Sequence, residues 1–246
     1  MRSLEGRVAL ITGASRGIGR AMALAFGQAG ALVAVTARTP PALEAVVSAV
    51  RDSGSAALAI PADLSLEPDI LRIADTALSH FGRLDILVNN AGIVHPRVDL
   101  VDFDPALWRQ VIEVNLVAAA LLTKAVLPGM IAHRSGKILN VSSIGGRRGG
   151  KGRSAYRVTK AGLISLTESV AAEVKPYGID AVCICPAGVD TEGYREAFSS
   201  RGRAENPQLM EPEEIASLAV FLASDESSAI TGTAIDAFGR ANPLFR

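Results

Sequence analysis

Cysteine is nearly absent from this chain of 246 residues, which holds only Cys183 and Cys185. They alternate along one strand-like run, so both fall on the same face, a poor geometry for a bridge; buried thiols are expected, not a disulfide framework. Histidine is almost as scarce. His80, His95 and His133 show no ligand spacing, so no metal site is expected. Net charge is missing too, because 25 Lys+Arg balance 25 Asp+Glu. That excludes a global attraction to nucleic acid or to an anionic membrane and makes any polyanion site local. No uninterrupted apolar run is long enough to span a bilayer, and Met1 to Gly6 leads into Val8-Ala9-Leu10-Ile11-Thr12 with no apolar segment before a cleavage site. A cytoplasmic protein without nucleic-acid or membrane partners is expected. What the chain does have is 49% hydrophobic residues, enough for one domain over 1–246 with a well-buried core.

Short β-branched runs alternate with longer helical patterns. Val8–Thr12, Leu32–Thr36, Ala56–Pro61, Leu84–Asn89, Lys137–Val141, Asp180–Cys185 and Thr233–Ala237 read as strands. Apolar residues on both faces of such strands, with helices between them, call for a parallel sheet covered on both sides. The expected fold is α/β: a doubly wound, Rossmann-type sheet of seven parallel strands with helices on both faces. Ligands of such sheets lie beyond the carboxyl ends of the strands. Two irregular stretches interrupt the pattern. Gly145 to Arg153 is glycine-rich and basic, and a mobile loop is expected there. Residues 188–211, with Tyr194, Arg195, Arg201, Arg203 and Pro207, read as a substrate lid ahead of a helix opened by Glu211-Pro212-Glu213-Glu214.

Thr12-Gly13-Ala14-Ser15-Arg16-Gly17-Ile18-Gly19 follows the first strand and opens a helix. Glycine lets the backbone turn and approach phosphates whose charge meets the helix N-terminus, so this run reads as a pyrophosphate cradle. Its Gly-x-x-x-Gly-x-Gly spacing differs from the usual Gly-x-Gly-x-x-Gly. Tyr156 and Lys160 stand four apart, on one face of a helix. A Tyr hydroxyl has a pKa of about 10, and a neighbouring ammonium would favour its phenolate. Alone, this is an ordinary exposed pair; with Ser143 to polarise a carbonyl, it becomes a hydride-transfer site. Cofactor choice is argued at the end of the second strand. A carboxylate there would accept from a ribose 2′-hydroxyl and repel a 2′-phosphate, but the chain has Ala37 and then Arg38. Arg16 could close on the same phosphate, so NADP(H) is preferred, with NAD(H) as the alternative.

These residues, with Asn89-Asn90-Ala91-Gly92 and Asn115, resemble the short-chain dehydrogenase/reductase family, and within it the 3-oxoacyl-[acyl-carrier-protein] reductases, from Arg7 to about Gly239. The resemblance implies a catalytic set of Asn115, Ser143, Tyr156 and Lys160. Tyr156 would give or take the proton and Ser143 would orient the carbonyl. Lys160 would bind the nicotinamide ribose and lower the Tyr156 pKa, and Asn115 would hold a water in the proton relay. The implied cofactor residues are Gly13, Ser15, Arg16, Gly17, Ile18, Gly19, Arg38, Asp63 beside the adenine amino group, Leu64, a ribose wall from Asn89 through Ala91 to Gly92, then Pro186, Gly188, Val189 and Thr191, together with Tyr156 and Lys160. A homotetramer is implied, with contacts from the long helices starting near Asp104 and Ala155 and from the C-terminal strand.

Two departures stand out. Ala187 replaces the usual glycine after Pro186, and the paired glycines expected near Asp236 are absent; the terminus from Ala241 to Arg246 is expected to pack into a neighbouring site. Arg147, Arg148, Lys151 and Arg153 are expected at the site's mouth, where they would capture an anionic substrate. Arg134 beside Lys137 offers a docking patch for an acyl carrier. The expected activity is NADP(H)-dependent interconversion of a ketone, such as a 3-oxoacyl thioester or another anionic carbonyl compound, and a secondary alcohol. The alternatives are a dehydrogenase of sugars, polyols or other secondary alcohols, and a dinucleotide sensor or scaffold with little turnover, which the intact Ser143, Tyr156, Lys160 and Asn115 argue against.

Overall fold

Every residue of β1 (Val8–Thr12) and of β5 (Gly136–Val141) is buried, so neither face of the sheet centre can meet water and helices must cover both. The computed structural model describes residues 3–199 and 202–241. Arg201 and the terminal segment 242–246 lie outside the described residues. The remaining strands are β2 (Leu32–Ala37), β3 (Ala57–Pro61), β4 (Ile86–Asn89), β6 (Ile179–Pro186) and β7 (Thr233–Ala237). They form one seven-stranded sheet in the order β3-β2-β1-β4-β5-β6-β7, every pair parallel. This is the doubly wound Rossmann-type fold, a single domain, and the order reverses between β1 and β4. A crevice opens at that switch point.

Helices α1 (Gly17–Gln28), α2 (Pro40–Asp52) and α8 (Pro212–Ala223) cover one face, where Met22, Phe26, Val46 and Leu222 share a core with β1 and β2. On the other face, α3 (Glu67–Phe81), α5 (Ala118–His133) and α6 (Ser154–Val174) pack Ile73, Leu122, Met130 and Val170 against Leu10, Leu87 and Ile138. Each fully buried side chain of this kind contributes about 1.5–3 kcal/mol. Asp104 starts α4 (Pro105–Ile112) by accepting from the Ala106 N–H at 3.0 Å, with proline at the first helical position. Between α4 and α5 one turn, Glu113–Val117, is π-helical and carries Asn115. The run Pro105–His133 is thus one continuous helix, long and apolar enough by length and composition to cross a membrane. Glu113, Asn115 and Lys124 interrupt its apolar sequence, and it lies against α3 and the sheet.

The two irregular stretches are structured. Residues 188–211 contain a short helix, α7 (Glu192–Phe198), and are anchored by a bridge between Val189 and Met210. Asp190 holds the same segment, accepting from Arg195 Nε at 2.7 Å and from the Arg203 N–H at 3.0 Å. The glycine-rich loop is tied down as well: Arg147 pairs with Asp236 at 2.7 Å and donates to the Ala234 carbonyl at 2.6 Å.

Candidate active site

A cavity of about 900 Å³ opens beyond the carboxyl ends of the strands and runs from the Gly13–Gly19 loop and Arg38 at one end to Tyr156 and Arg157 at the other. Glycine is required by the close approaches at its floor. A Cβ on Gly13, at φ +64°, would lie 2.7 Å from Ala91 Cα, and one on Gly19 would lie 2.3 Å from the Gly13 carbonyl oxygen. Thr12 Oγ1 joins the two central strands by accepting from the Asn90 and Ala91 N–H groups, both at 3.0 Å. The first turn of α1 has no side-chain cap, so its free N–H groups and positive dipole end are presented to the cavity. This donor set suits a dinucleotide pyrophosphate.

Ser15, Arg16, Gly17, Ile18, Asp63, Leu64, Ala91 and Gly92 line this cavity as expected, with Pro186, Gly188, Val189 and Thr191. Three expected positions differ. Asn89 points into the core, where its Nδ2 donates to Asn140 Oδ1 at 2.9 Å and Thr123 Oγ1 at 3.1 Å, so the wall begins at Asn90. Arg16 does not reach toward Arg38; Glu196 on α7 holds it through two contacts of 2.6 and 3.0 Å. Asn115 sits behind the wall and exchanges hydrogen bonds with the Ile93 backbone, accepting at 2.7 Å and donating at 3.1 Å. Ala187 fits without strain: its N–H donates to the Ala237 carbonyl at 2.8 Å, and Gly188 makes the close approach instead, a Cβ there lying 2.5 Å from Leu209.

Ser143, Tyr156 and Lys160 converge on the far half of the cavity. Ser143 Oγ accepts from the Gly145 N–H at 3.0 Å. Burial pushes the Tyr156 hydroxyl above its usual range; Ser143, then Arg153 and Arg157, draw it back. Lys160 Nζ lies 5.7 Å from the centre of the Tyr156 ring and donates to the Val141 carbonyl at 2.7 Å. Its pKa is pushed down to about 8 by burial. Tyr156 is therefore a protonated phenol at neutral pH, and Arg153 and Arg157 are cations beside it that favour its phenolate.

His95 was not expected here. Its ring accepts from the Tyr156 N–H at 3.4 Å through Nε2, while Nδ1 contacts the Pro96 carbonyl at 2.6 Å, so one neutral tautomer satisfies both. Burial holds it below the usual histidine range. Its distance from Tyr156 in the sequence left no spacing signal. The basic loop also divides. Arg147 faces Asp236, and Arg153 is buried, donating to the carbonyls of His95 and Ala197, with its guanidinium 4.5 Å from the Phe198 ring centre. Arg148, Lys151, Arg97 and Arg157 are the remaining cations on this wall.

The family model for short chain dehydrogenase matches residues 7–202. The chain is 39% identical to the cis-4-hydroxycyclohexanecarboxylate dehydrogenase of Sinomonas cyclohexanicum over 231 residues, 92% of each protein. It is 38% identical to a 3-oxoacyl-[acyl-carrier-protein] reductase of Vibrio cholerae over 243 residues, covering 96% of this chain and 98% of that one. A crystal structure of the 3-ketoacyl-(acyl-carrier-protein) reductase from Brucella melitensis, complexed with NADH, superimposes with a TM-score of 0.90 at 36% identity over 97% of this chain and all of that one. With a matching glycine cradle, Ser143, Tyr156 and Lys160 around one cavity, the chain belongs to the short-chain dehydrogenase family, oxidoreductases that interconvert alcohols and carbonyl compounds.

Proposed function

We propose that the protein is an NADP(H)-dependent carbonyl reductase, and the observation that carries this is the convergence of Ser143, Tyr156 and Lys160 in the half of the cavity away from the glycine cradle. A nicotinamide held here would supply or accept the hydride. Tyr156 as the phenol hands its hydroxyl proton to the carbonyl oxygen during reduction, and as the phenolate takes the hydroxyl proton of the alcohol in oxidation; such transfer contributes typically 10²–10⁴-fold. Ser143 Oγ holds the substrate oxygen. Lys160 holds the ribose hydroxyls, and Asn115, fixed by the π turn and Ile93, holds the water through which Tyr156 regains its proton. Tyr194 and Phe198 of the segment after β6 line the cavity and would border the substrate.

Arg38 supports the choice of NADP(H). It lines the cavity at the end of β2, where a guanidinium suits a 2′-phosphate. The Brucella structure carries NADH, so the fold alone does not fix the cofactor, and the preference proposed here rests on Arg38. Arg38→Asp should move the ratio of kcat/KM values toward NAD(H) by about tenfold or more, since a charge-assisted contact is worth roughly 1.5–3 kcal/mol. An unchanged ratio refutes the assignment.

The substrate is a ketone or secondary alcohol. A carrier-linked thioester has less support, because Lys137 is buried against Asp180 at 2.7 Å, which leaves the exposed Arg134 as the surface cation of the docking patch expected there. The Sinomonas relative is named for a hydroxy acid. Two buried free thiols, Cys183 and Cys185, support a reducing, cytoplasmic setting. The test is a panel of ketones and alcohols followed by nicotinamide absorbance with both cofactors; no turnover with any would overturn the reading.

A further inference from the structure

At the Tyr156 end of the cavity the wall is built from Arg97, Arg148, Arg153 and Arg157. Their hydrogen bonds are to carbonyl oxygens alone: Arg157 donates to those of Arg148 at 2.6 Å and Gly149 at 3.2 Å, and Arg153 to those of His95 and Ala197. Among the described residues none of the four has a carboxylate within ion-pair distance, whereas Arg16 across the cavity is paired with Glu196. Lys151, on the same wall, is paired with Asp99 at 3.2 Å. Repulsion from Arg97 and Arg157 helps to hold Arg153 below the usual guanidinium range, after burial. Arg97 and Arg148 are exposed, Arg157 is half-buried and Arg153 is buried, so water screens these like charges only in part and the wall presents a positive field to an entering anion.

The loop sequence makes room for this cluster. A Cβ on Gly150 would lie 2.5 Å from Arg157 Cζ, and one on Gly152, at φ +74°, would meet Arg97 Cβ at 3.3 Å. The Gly152 carbonyl also accepts from the Val98 N–H at 3.0 Å, locking the loop to the segment that carries Arg97. Gly150 and Gly152 thus lay the loop backbone directly on two arginines. Around them Ile93, Val94, Ile144, Tyr194 and Phe198 supply an apolar wall.

We propose that the substrate is a small acid, an oxo acid in one direction and a hydroxy acid in the other, whose carboxylate is bound by Arg97 and Arg157 with Arg148 at the rim. This rests on the hydride-transfer reading of Ser143 and Tyr156 and adds the class of molecule reduced there. The carboxylate is a handle and takes no part in bond making. Guanidinium pairs present a planar fork to a carboxylate, and the apolar wall accepts the hydrocarbon between handle and carbonyl. This subsite is separate from the cofactor's anions, which belong to the α1 N-terminus and Arg38 at the other end.

The test compares 3-oxobutanoate, 4-oxopentanoate and 5-oxohexanoate, each with its methyl ester, in the parent and in Arg97→Gln and Arg157→Gln variants. The parent should prefer at least one acid over its ester by about tenfold or more in kcat/KM, and either variant should reduce that acid-to-ester ratio by about tenfold. Added salt should raise KM for the acid more than for the ester. Esters reduced as well as acids by the parent would overturn the small-acid proposal and leave the oxidoreductase reading intact. Calorimetric titration of the protein with 4-oxopentanoate and its methyl ester, with NADP+ present so that no hydride is available to transfer, gives a readout independent of turnover; no preference for the acid there likewise overturns it. A 3-oxobutanoyl phosphopantetheine thioester against its dephosphorylated form tests the carrier-linked source. Dependence on that phosphate, with no preference among the free acids, would assign the arginines to a carrier arm instead.

Discussion

At the residue scale the chemistry turns on how burial moves the titrations of the groups that face the substrate. Tyr156 is held above its usual pKa and Lys160 is lowered to about 8, both chiefly by burial. Replacing Tyr156 with Phe removes the transferable proton and leaves the cradle at α1 whole, so turnover should fall to about one-hundredth or less while NADPH still binds, as nucleotide fluorescence would report. Retained turnover would remove Tyr156 from the proton path. His95 gives a second, independent signature. Its native pKa lies below the free value of 6.5, so on acidification the unfolded chain takes up the proton first. Stability should be complete above about 6.5 and be lost as pH falls from there through the lowered native value. His95→Gln, which keeps an acceptor for the Tyr156 N–H, should melt with a flatter dependence between pH 5 and 7, about the window set by a free histidine. An unchanged slope would assign the acid sensitivity elsewhere. The Tyr156–Lys160 pair was legible from spacing, but His95 was not, because the contact that places it at the site is with the Tyr156 N–H, a backbone group distant in the sequence.

At the scale of elements, motifs that bring distant backbone close were readable only in part. The glycine loop was legible because each glycine answers a steric demand, and that demand yields a sharp contrast. Gly19→Ala sets a Cβ 2.3 Å from a backbone oxygen, so the α1 start must shift and cofactor Kd should rise about tenfold or more, with a lower melting temperature. Gly129→Ala in α5 meets nothing within 4 Å and should add about 0.5–1 kcal/mol of stability. Equal effects at the two sites would contradict the cradle. All seven strands were legible to within two residues at either end, since each is a short apolar run set between turn or helical segments, although β7 has no buried residue in the single chain. The π turn at Asn115 and helix α7 were not. An extra residue in a helical turn leaves apolar periodicity almost unchanged, and the seven residues of α7 are too few to show a period. The loop arginines were legible as charge but not in direction, because Arg147 and Arg153 found their partners, Asp236 and His95, in remote segments.

Seen as a whole molecule, zero net charge conceals a segregated one: arginines gather in the cavity, while apolar surface gathers on the helices outside. The continuous helix Pro105–His133 has only 39% of its most apolar window buried. Beside it, Leu116 packs so closely on α6 that a Cβ on Gly162 would lie 2.7 Å away, and Val158 on α6 is 50% exposed. Two adjacent helices with incompletely covered apolar faces are best satisfied by the same faces of a second copy, which a two-fold axis would bring together. A homo-oligomer joined through α4, α5 and α6 is therefore expected, and light scattering should give a mass at least twice that of one chain. Val158→Asp provides the local test. The position is half-exposed in the single chain, where such a change costs little, but inside a helix–helix interface it buries an unpaired carboxylate. The variant should dissociate at concentrations where the parent remains assembled, with its circular dichroism unaltered. A monomeric parent, or an assembly indifferent to Val158→Asp, would move the contact to another face of the molecule.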